Sequence, residues 1–496
     1  MPAIVTNKFR IHNAEQFSES FSEASPNVYY LLLGRPQAFA TSTRPDSRTE
    51  NEGSDTSPIT PPDSIDYEFY TFDDAIAAKK ITSSDVSYVI PRRNWATGTV
   101  YDMYRHDYGR RITGTTTAKT STSGASNLYD ATFYVYSSAG NVYKCLDNNS
   151  GANSTVEPTG TSTSVLTTAD GYKWKYMYTL SASQQVNFLS TDFMAVATNS
   201  TVSAAAVNGA LDIVTVKAGG TGYTTSGASG TGTITSVPIR GDYTTRGYAT
   251  VTIASGVVTG VSITTAGAGY TYAYITNADI QAQGGGTGSG AELDVLIGPK
   301  GGHGYNAVKE LGGFFVMLNV NFEGVESGSG SDVSAANDFR RIGLLRDPNS
   351  GGSAASSTTL RATKAIRMAS SPTPGTFTVD EEINQATTGA VGKVVEWDAT
   401  NRVLYYIQTR FNDEGANSSG DLVAFSTNAV ITGQSSSATA TPDTSFSSTV
   451  NGSSFTSGYS SSELDADTGD VMYVENRAPI TRATDQTENV KLVIEF

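Results

Sequence analysis

The sequence predicts a mainly β, multi-domain, β-sandwich-like architecture with a few short helices. Charged residues make up only 16% of the chain, against ~25% in typical soluble domains. Ser, Thr, Asn and Gly therefore cover much of the surface, a composition that suits strands and turns better than exposed helices. Short Val/Ile/Thr-rich runs alternate with glycine-containing turns over much of the chain. The length of 496 residues points to about three domains at ~150 residues each. Apolar residues at 38% with 49 glycines suffice for a buried core and exclude wholesale disorder.

In the N-terminal part, Ala3–Phe9 alternates weakly and reads as a strand. Asn13 caps a short helix with Phe17 and Phe21 on one face, an i,i+4 pair. The apolar run Val28–Leu33, ended by Gly34 and Pro36, is a buried strand. Arg44–Pro62 has the Ser/Thr/Asp/Pro composition of an exposed loop. A second short helix is expected over Phe72–Lys80. Phe133–Tyr136 and Val142–Leu146 form a hairpin about Ala139-Gly140-Asn141. Between Tyr172 and Tyr178 the period is two, so Tyr172, Trp174, Tyr176 and Tyr178 share a face.

Composition changes near Thr198: residues 200–296 hold eight charged side chains in 97, half the density of the whole chain, which marks a domain boundary. Leu211–Val216, Thr233–Ile239, Ala249–Ala254, Val257–Thr264 and Glu292–Ile297 suit strands. Gly220-Thr-Gly222-Tyr223 returns 47 residues later as Gly267-Ala-Gly269-Tyr270, and 35 further on as Gly302-His303-Gly304-Tyr305. These read as tight turns, each closed by a tyrosine, in a repeated β-unit. A second β-rich segment repeats Phe377-x5-Ile383 as Phe425-x5-Ile431, 48 residues on, each followed by an alanine, Ala390 or Ala438. Val391–Trp397 and Arg402–Arg410 pair about Asp398–Asn401, Ser445–Ser462 reads as a linker or long loop, and Val490–Phe496 is a final strand.

The net charge of −15 gives no basic footprint for nucleic acid or for an anionic membrane surface. The single cysteine, Cys145, excludes an internal disulfide and a sulfur-rich metal centre, and fits folding in a reducing cytoplasm. No apolar run has the length of a signal peptide or a membrane span. Catalytic signatures are missing. His12, His106 and His303 form no metal-ligand spacing. His106, within Asp102-Met-Tyr-Arg-His-Asp107, reads as part of a polar surface loop, and His303 as a turn residue. Gly286-Thr-Gly288-Ser-Gly290-Ala291 matches a dinucleotide fingerprint in letters, but a strand follows where a helix is required, so the stretch reads as a flexible β-turn. Asp465-Ala-Asp467-Thr-Gly469-Asp470 departs from a calcium loop at three positions and reads as a solvated turn. The Tyr172/Trp174/Tyr176/Tyr178 row reads as core in preference to a stacking surface. Arg92 and Arg93 before Trp95 suit either partner docking or an internal salt bridge.

Several stretches at both ends resemble the baseplate wedge protein encoded by gene eight of T-even-type, contractile-tailed phages. They are Ala3-Ile-Val-Thr-Asn-Lys-Phe-Arg10, Val89-Ile-Pro-Arg-Arg-Asn-Trp95, Val142-Tyr-Lys-Cys-Leu-Asp147 and Asp170-Gly-Tyr-Lys-Trp-Lys-Tyr-Met-Tyr178. At the C-terminus they are Met472-Tyr-Val-Glu-Asn-Arg-Ala-Pro-Ile480 and Asp485-Gln-Thr-Glu-Asn489. Asn337-Asp-Phe-Arg-Arg-Ile342 looks like longer relatives of the same build. The resemblance covers about 1–195 and 466–496 and implies a virion structural protein: mainly β, homodimeric, bound to other wedge subunits, without cofactor or catalytic activity. The expected organisation is a wedge-like domain at 1–197 completed by 466–496, an inserted Gly/Thr-rich β-domain at 198–297 and a connecting segment at 298–357. A second inserted β-domain at 358–446 and a Ser/Gly-rich linker at 447–465 follow. The candidate interface or structural residues are Arg92, Arg93, Trp95, Trp174, Tyr473, Glu475, Asn476 and Arg477. The alternative is a receptor-binding or carbohydrate-binding tail protein that uses the inserted β-domains.

Overall fold

The computed structural model describes residues 4–23, 27–39, 41–43, 49–111, 116–323, 337–410, 415–481 and 487–496. It is mainly β with a few short helices, as the composition predicts. The chain divides into two compact units, one of Met1–Gln16, Ser87–Met317 and Val493–Phe496, the other of Phe17–Val86 and Leu318–Leu492. Segment 1–197 thus contributes to both units, 198–297 falls in the first, and 358–446 and 447–465 fall in the second.

In the first unit, Leu166–Thr167, Lys173–Thr179, Asn141–Asp147 and Tyr134–Tyr136 form an antiparallel sheet in that order. The expected hairpin is present. Gly140, at φ +80°, takes the left-handed turn position that a side chain resists. Register shifts within Lys173–Thr179 split the aromatic row. Tyr172, Trp174 and Tyr176 pack with Tyr101, Tyr143 and Cys145, while Tyr178 joins Ile90, Phe133 and Met194. All four rings are core.

The low-charge region of the same unit has its own core, including Leu211, Tyr223, Ile234, Val251, Tyr270 and Val295. A long ribbon pairs Leu211–Tyr223 with Gly286–Ile297, beside a sheet of Gly232–Pro238, Tyr248–Ala254 and Val257–Thr265. A short ribbon pairs Arg240–Gly241 with Ala273–Tyr274. The fingerprint glycines lie inside the strand Gly286–Ile297, not in a flexible turn, because Leu211–Tyr223 pairs with them. A Cβ on Gly288 would sit 2.3 Å from the Tyr223 ring, so close packing explains that glycine. Tyr270 closes its turn from a buried position. The first copy is not a turn: Gly220–Tyr223 continues the strand Leu211–Tyr223, its positive-φ glycines accommodated by a register shift in the pairing, and Tyr223 is buried. The Tyr270 hydroxyl donates to Ile239 O and accepts from Gly247 N, both at 2.9 Å. The third copy differs: Tyr305 is exposed and His303 is buried in its place.

In the second unit a five-stranded antiparallel sheet runs Thr359–Arg361, Ala75–Ile81, Tyr29–Gly34, Phe339–Arg346, Asp470–Ile480. Tyr29–Gly34 is buried along its whole length, as its unbroken apolar run predicts. A seven-stranded sheet holds the second repeat. Glu382–Gln385 pairs with Ala390–Asp398 on one side and Ile431–Gly433 on the other. Phe377, Ile383 and Ala390 meet Phe425, Ile431 and Ala438 in one core, so the two copies lie edge to edge. Within 447–465, Phe455 is buried and Tyr459–Ser460 pairs with Lys364–Arg367.

Four further local expectations are corrected. Residues 7–9 are helical, not extended: the helix is Asn7–Glu19, because Thr6 Oγ1 and O accept the Phe9 amide and start it earlier than Asn13. Phe17 and Phe21 still meet, at 5.2 Å, and both pack on Tyr29. The second helix is Ile65–Asp73, started by Ser64 with Asp66 and Glu68 in its first turn, and Ala75–Ile81 is a strand because Tyr29–Gly34 supplies its partner. Arg44–Pro62 is not simply an exposed loop: 44–48 lie outside the described residues, but Thr49–Asn51 pairs with Thr41–Thr43 and Glu52 is buried. The Asp102–Asp107 loop is anchored inward, since Asp102, Arg105 and Asp107 are buried while His106 is exposed. Ala3 and residues 485–486 of the quoted motifs also lie outside the described residues.

Candidate functional site: buried ionic networks

Phe339–Arg346 is apolar apart from its arginines, and a register shift between Phe339 and Arg341 interrupts its pairing with Asp470–Ile480. Arg340 grips Asp55 through two bonds of 2.9 Å. Arg341 is fully buried. Its Nε donates to Asn476 Oδ1 at 2.9 Å, one terminal nitrogen to Asp74 Oδ2 at 2.6 Å and Tyr70 O at 3.2 Å, and the other to Glu52 Oε1 at 3.1 Å and the Tyr67 hydroxyl at 3.3 Å. A guanidinium has five N–H donors, and here each has an acceptor. Arg35 adds a second cation, 2.5 Å from Glu52 Oε2 and 3.8 Å from Asp74 Oδ2. Burial pushes Asp74 up to about 6 against the pull of Arg341 and Arg35. Two guanidinium groups and two carboxylates thus neutralise each other in the interior.

Asn476 completes this network. Its amide nitrogen donates to the Tyr67 hydroxyl at 2.8 Å and to Ile59 O at 3.1 Å. It thereby ties the strand Asp470–Ile480 to two N-terminal elements. Its expected neighbours do less. The Tyr473 hydroxyl donates to Glu475 Oε2 at 2.9 Å, and burial followed by that carboxylate pushes Tyr473 up to about 12. Glu475 and Arg477 are half-buried on the same strand.

The other candidates sit in the first unit, with Trp174 buried and Arg92, Arg93 and Trp95 half-buried. Arg92 donates to Asn94 Oδ1 and Ser190 O, each at 2.9 Å. Arg93 lies over the Tyr134 ring at 4.5 Å and bonds Ala131 O and Tyr129 O. Trp95 Nε1 donates to Ser154 Oγ at 3.1 Å. Trp174 stacks on Tyr172 at 5.4 Å, and its Nε1 has no acceptor among the described residues. The contacts of both arginines and both tryptophans are therefore internal ones.

A second ionic cluster escaped the sequence reading. Lys144 is fully buried against Glu310 and lies 5.0 Å from the Tyr104 ring centre. Glu310 Oε1 also accepts the amides of Gly304, at 2.8 Å, and Asn306, at 3.2 Å, so the third Gly-x-Gly-Tyr turn folds around a carboxylate. His303 lies edge-on to Tyr104 at 4.9 Å, and burial, then Lys144 and Lys175, hold its pKa well below the ordinary histidine value. Near the chain start, Asp102 accepts from Ser123 and Thr132, while Asp107 accepts from Arg105 and Lys119. These carboxylates hold other groups, and His106 Nδ1 instead accepts the Ile297 amide at 3.4 Å.

A cavity of about 240 Å³ in the second unit is lined in part by Phe72, Asp73, Lys364, Gln408, Arg410 and Asp467. Arg410 binds both oxygens of Asp73 at 2.9 Å and reaches Asp467 at 3.2 Å, while Lys364 donates to Gln408 at 3.0 Å. The carboxylates of the calcium-like stretch are likewise engaged, Asp465 by the Gly351 and Gly352 amides and Asp470 by Arg346. Among the described residues no group of three His, Cys, Asp or Glu side chains is placed to hold a metal ion. No helix among them is long and apolar enough to cross a membrane.

The signal for the Arg341 network was two adjacent arginines inside an apolar strand of a charge-poor chain. Its partners Glu52, Asp74 and Asn476 lie too far away in sequence to be assigned by spacing.

Fold and networks define a mainly β, multi-domain protein whose buried charges join strands distant in sequence. Residues 3–147 match the Phage-Gp8 family, described as Bacteriophage T4, Gp8. This is the family that the sequence resembles, and the matched stretch includes the Ala3–Arg10, Val89–Trp95 and Val142–Asp147 motifs. The match spans under a third of the chain, and a search of curated proteins gave no match.

Proposed function

We propose that the chain is a structural subunit of a contractile phage tail baseplate wedge. In this reading it is a homodimeric scaffold, without catalytic activity or cofactor, that joins neighbouring wedge proteins and shifts with them when the baseplate rearranges on infection. It assembles in the host cytoplasm and resides in the virion tail. The observation that carries the reading is the family match over 3–147. The physical character of the chain supports it. A scaffold must move as rigid bodies whose interfaces repack, and satisfied buried polar networks rigidify a core and specify one arrangement. Arg92, Arg93, Trp95 and Trp174 act as internal supports in this reading, and partner contacts fall to other surfaces. The net charge of −15 favours protein partners over nucleic acid or anionic membrane.

Deleting the gene from a phage that carries it tests the proposal. The expected result is failure to build complete baseplates, restored by the gene in trans, with the purified protein eluting at twice 52.1 kDa. Normal infectious particles from the deletion would contradict it.

A further inference from the structure

Two exposed tyrosines stand at the short ribbon of Arg240–Gly241 and Ala273–Tyr274. Tyr272 and Tyr274 are 57% and 46% exposed, with parallel rings (10° apart) and centroids separated by 6.4 Å. Arg240 stands directly across from Tyr274 in the register, hence on the same face. Its guanidinium is fixed, because Nε lies 2.8 and 2.9 Å from the oxygens of Asp279. Asp279 is itself buried and held by Thr276 through its amide at 3.0 Å and its hydroxyl. The Arg240 side chain as a whole stays 54% exposed. Asp242, exposed, accepts the Thr271 amide at 2.8 Å and the Tyr272 amide at 3.1 Å. Beyond it, exposed Arg246 lies 4.8 Å from the Tyr243 ring centre.

From this geometry we infer that the Tyr272/Tyr274 platform is a binding site for a neutral oligosaccharide. Sugar rings present C–H faces that lie on aromatic rings, and hydroxyls that both donate and accept. The platform supplies two parallel rings, a guanidinium donor and a carboxylate acceptor, with the donor fixed before any ligand arrives, which lowers the ordering cost of binding. The charges also fit: Arg240 and Arg246 balance Asp242 and Asp279, so the patch is neutral within a chain of net charge −15. A protein partner is the poorer fit. Stable protein interfaces bury ~800 Å² per side around apolar anchors, whereas the exposed large apolar side chains of 211–297 are only Tyr248, Tyr272 and Tyr274. The site does not depend on the baseplate assignment.

The test uses the full-length chain in calorimetric titrations with chitohexaose, cellohexaose and maltohexaose, beside a hyaluronan hexasaccharide and oligo-dT. Saturable binding of at least one neutral sugar is expected. Tyr272→Ala and Tyr274→Ala should each weaken it about tenfold, with the melting temperature unchanged because the rings are exposed. Tyr274→Phe, which keeps the ring, should bind nearly as well as the parent. Failure of all three neutral sugars at millimolar concentration would overturn the inference. So would binding that survives in the Tyr272→Ala/Tyr274→Ala double variant, or a preference for hyaluronan or oligo-dT.

Discussion

Arg341 and Asn476 face each other across neighbouring strands, and the arginine Nε donates to the asparagine amide oxygen at 2.9 Å. The contact joins residues 135 positions apart. It also closes a network that reaches Glu52, Tyr67 and Asp74 near the chain start. Removing one partner of a buried ion pair strands the other and costs ~3–5 kcal/mol. Arg341→Ala should therefore destabilise the second unit by about that amount. Arg341→Lys should recover only part of the loss, since an ammonium has three donors and no planar fork. Amide hydrogen exchange along Phe339–Arg346 reads both variants, and unchanged protection would contradict the network's role.

Asn476→Ala removes three hydrogen bonds while leaving the ionic pairs in place. A loss of ~1–3 kcal/mol is expected, since the buried Nε of Arg341 and Ile59 O lose their partner while the Tyr67 hydroxyl keeps its bond from Arg341. Arg477→Ala, on the same strand but half-buried, should change stability by less than ~0.5 kcal/mol. Equal effects of the two substitutions would argue against Asn476 as the tie.

Asp170 supplies an acid-side test in the first unit. Burial tends to raise its pKa, but the Thr168 hydroxyl and the amides of Thr155, Val156 and Tyr172 outweigh this and hold it down to about 2. A carboxylate depressed in the folded state stabilises the fold above its unfolded pKa of ~3.9. That contribution is lost as pH falls from about 4 through about 2. Asp170 is only partly buried, so solvent screening reduces the contribution to ~1 kcal/mol. Asp170→Asn should lower stability at neutral pH and flatten its dependence on pH between 4 and 2, as read by thermal melts across that range.

The Gly-x-Gly-Tyr repeats predict unequal costs for one substitution. Tyr270→Phe removes a hydroxyl that both donates to Ile239 O and accepts from Gly247 N in the interior, so a loss of ~1–2 kcal/mol is expected. Tyr305→Phe changes an exposed ring and should be nearly neutral. Melting temperatures of the two variants compare them directly.

These repeats also mark how far the sequence could be read. The positive-φ glycines were legible in all three copies, at +61° to +96°, because they leave a local signature, but the first copy sits within the strand Leu211–Tyr223 and not in a turn. What fills the core was not legible, since the third copy buries His303 where the others bury tyrosine. Val28–Leu33 and Val257–Thr264 were readable as strands from composition alone. Ala75–Ile81 was not: an alanine-rich apolar run suits helix or strand, and its state is set by pairing with Tyr29–Gly34, over forty residues away. The ionic networks were hidden for the same reason. Periodicity reports a residue's neighbours on its own element, and the partners of Arg341 and Lys144 lie on others.

The most direct measurement is a cryo-EM map of the tail tip of a contractile-tailed virion that encodes this chain. A structural wedge subunit should appear in every one of the wedges, in fixed copy number, as a pair of chains packed against each other and against neighbouring wedge proteins. Intact baseplates from which the chain is missing would contradict the account.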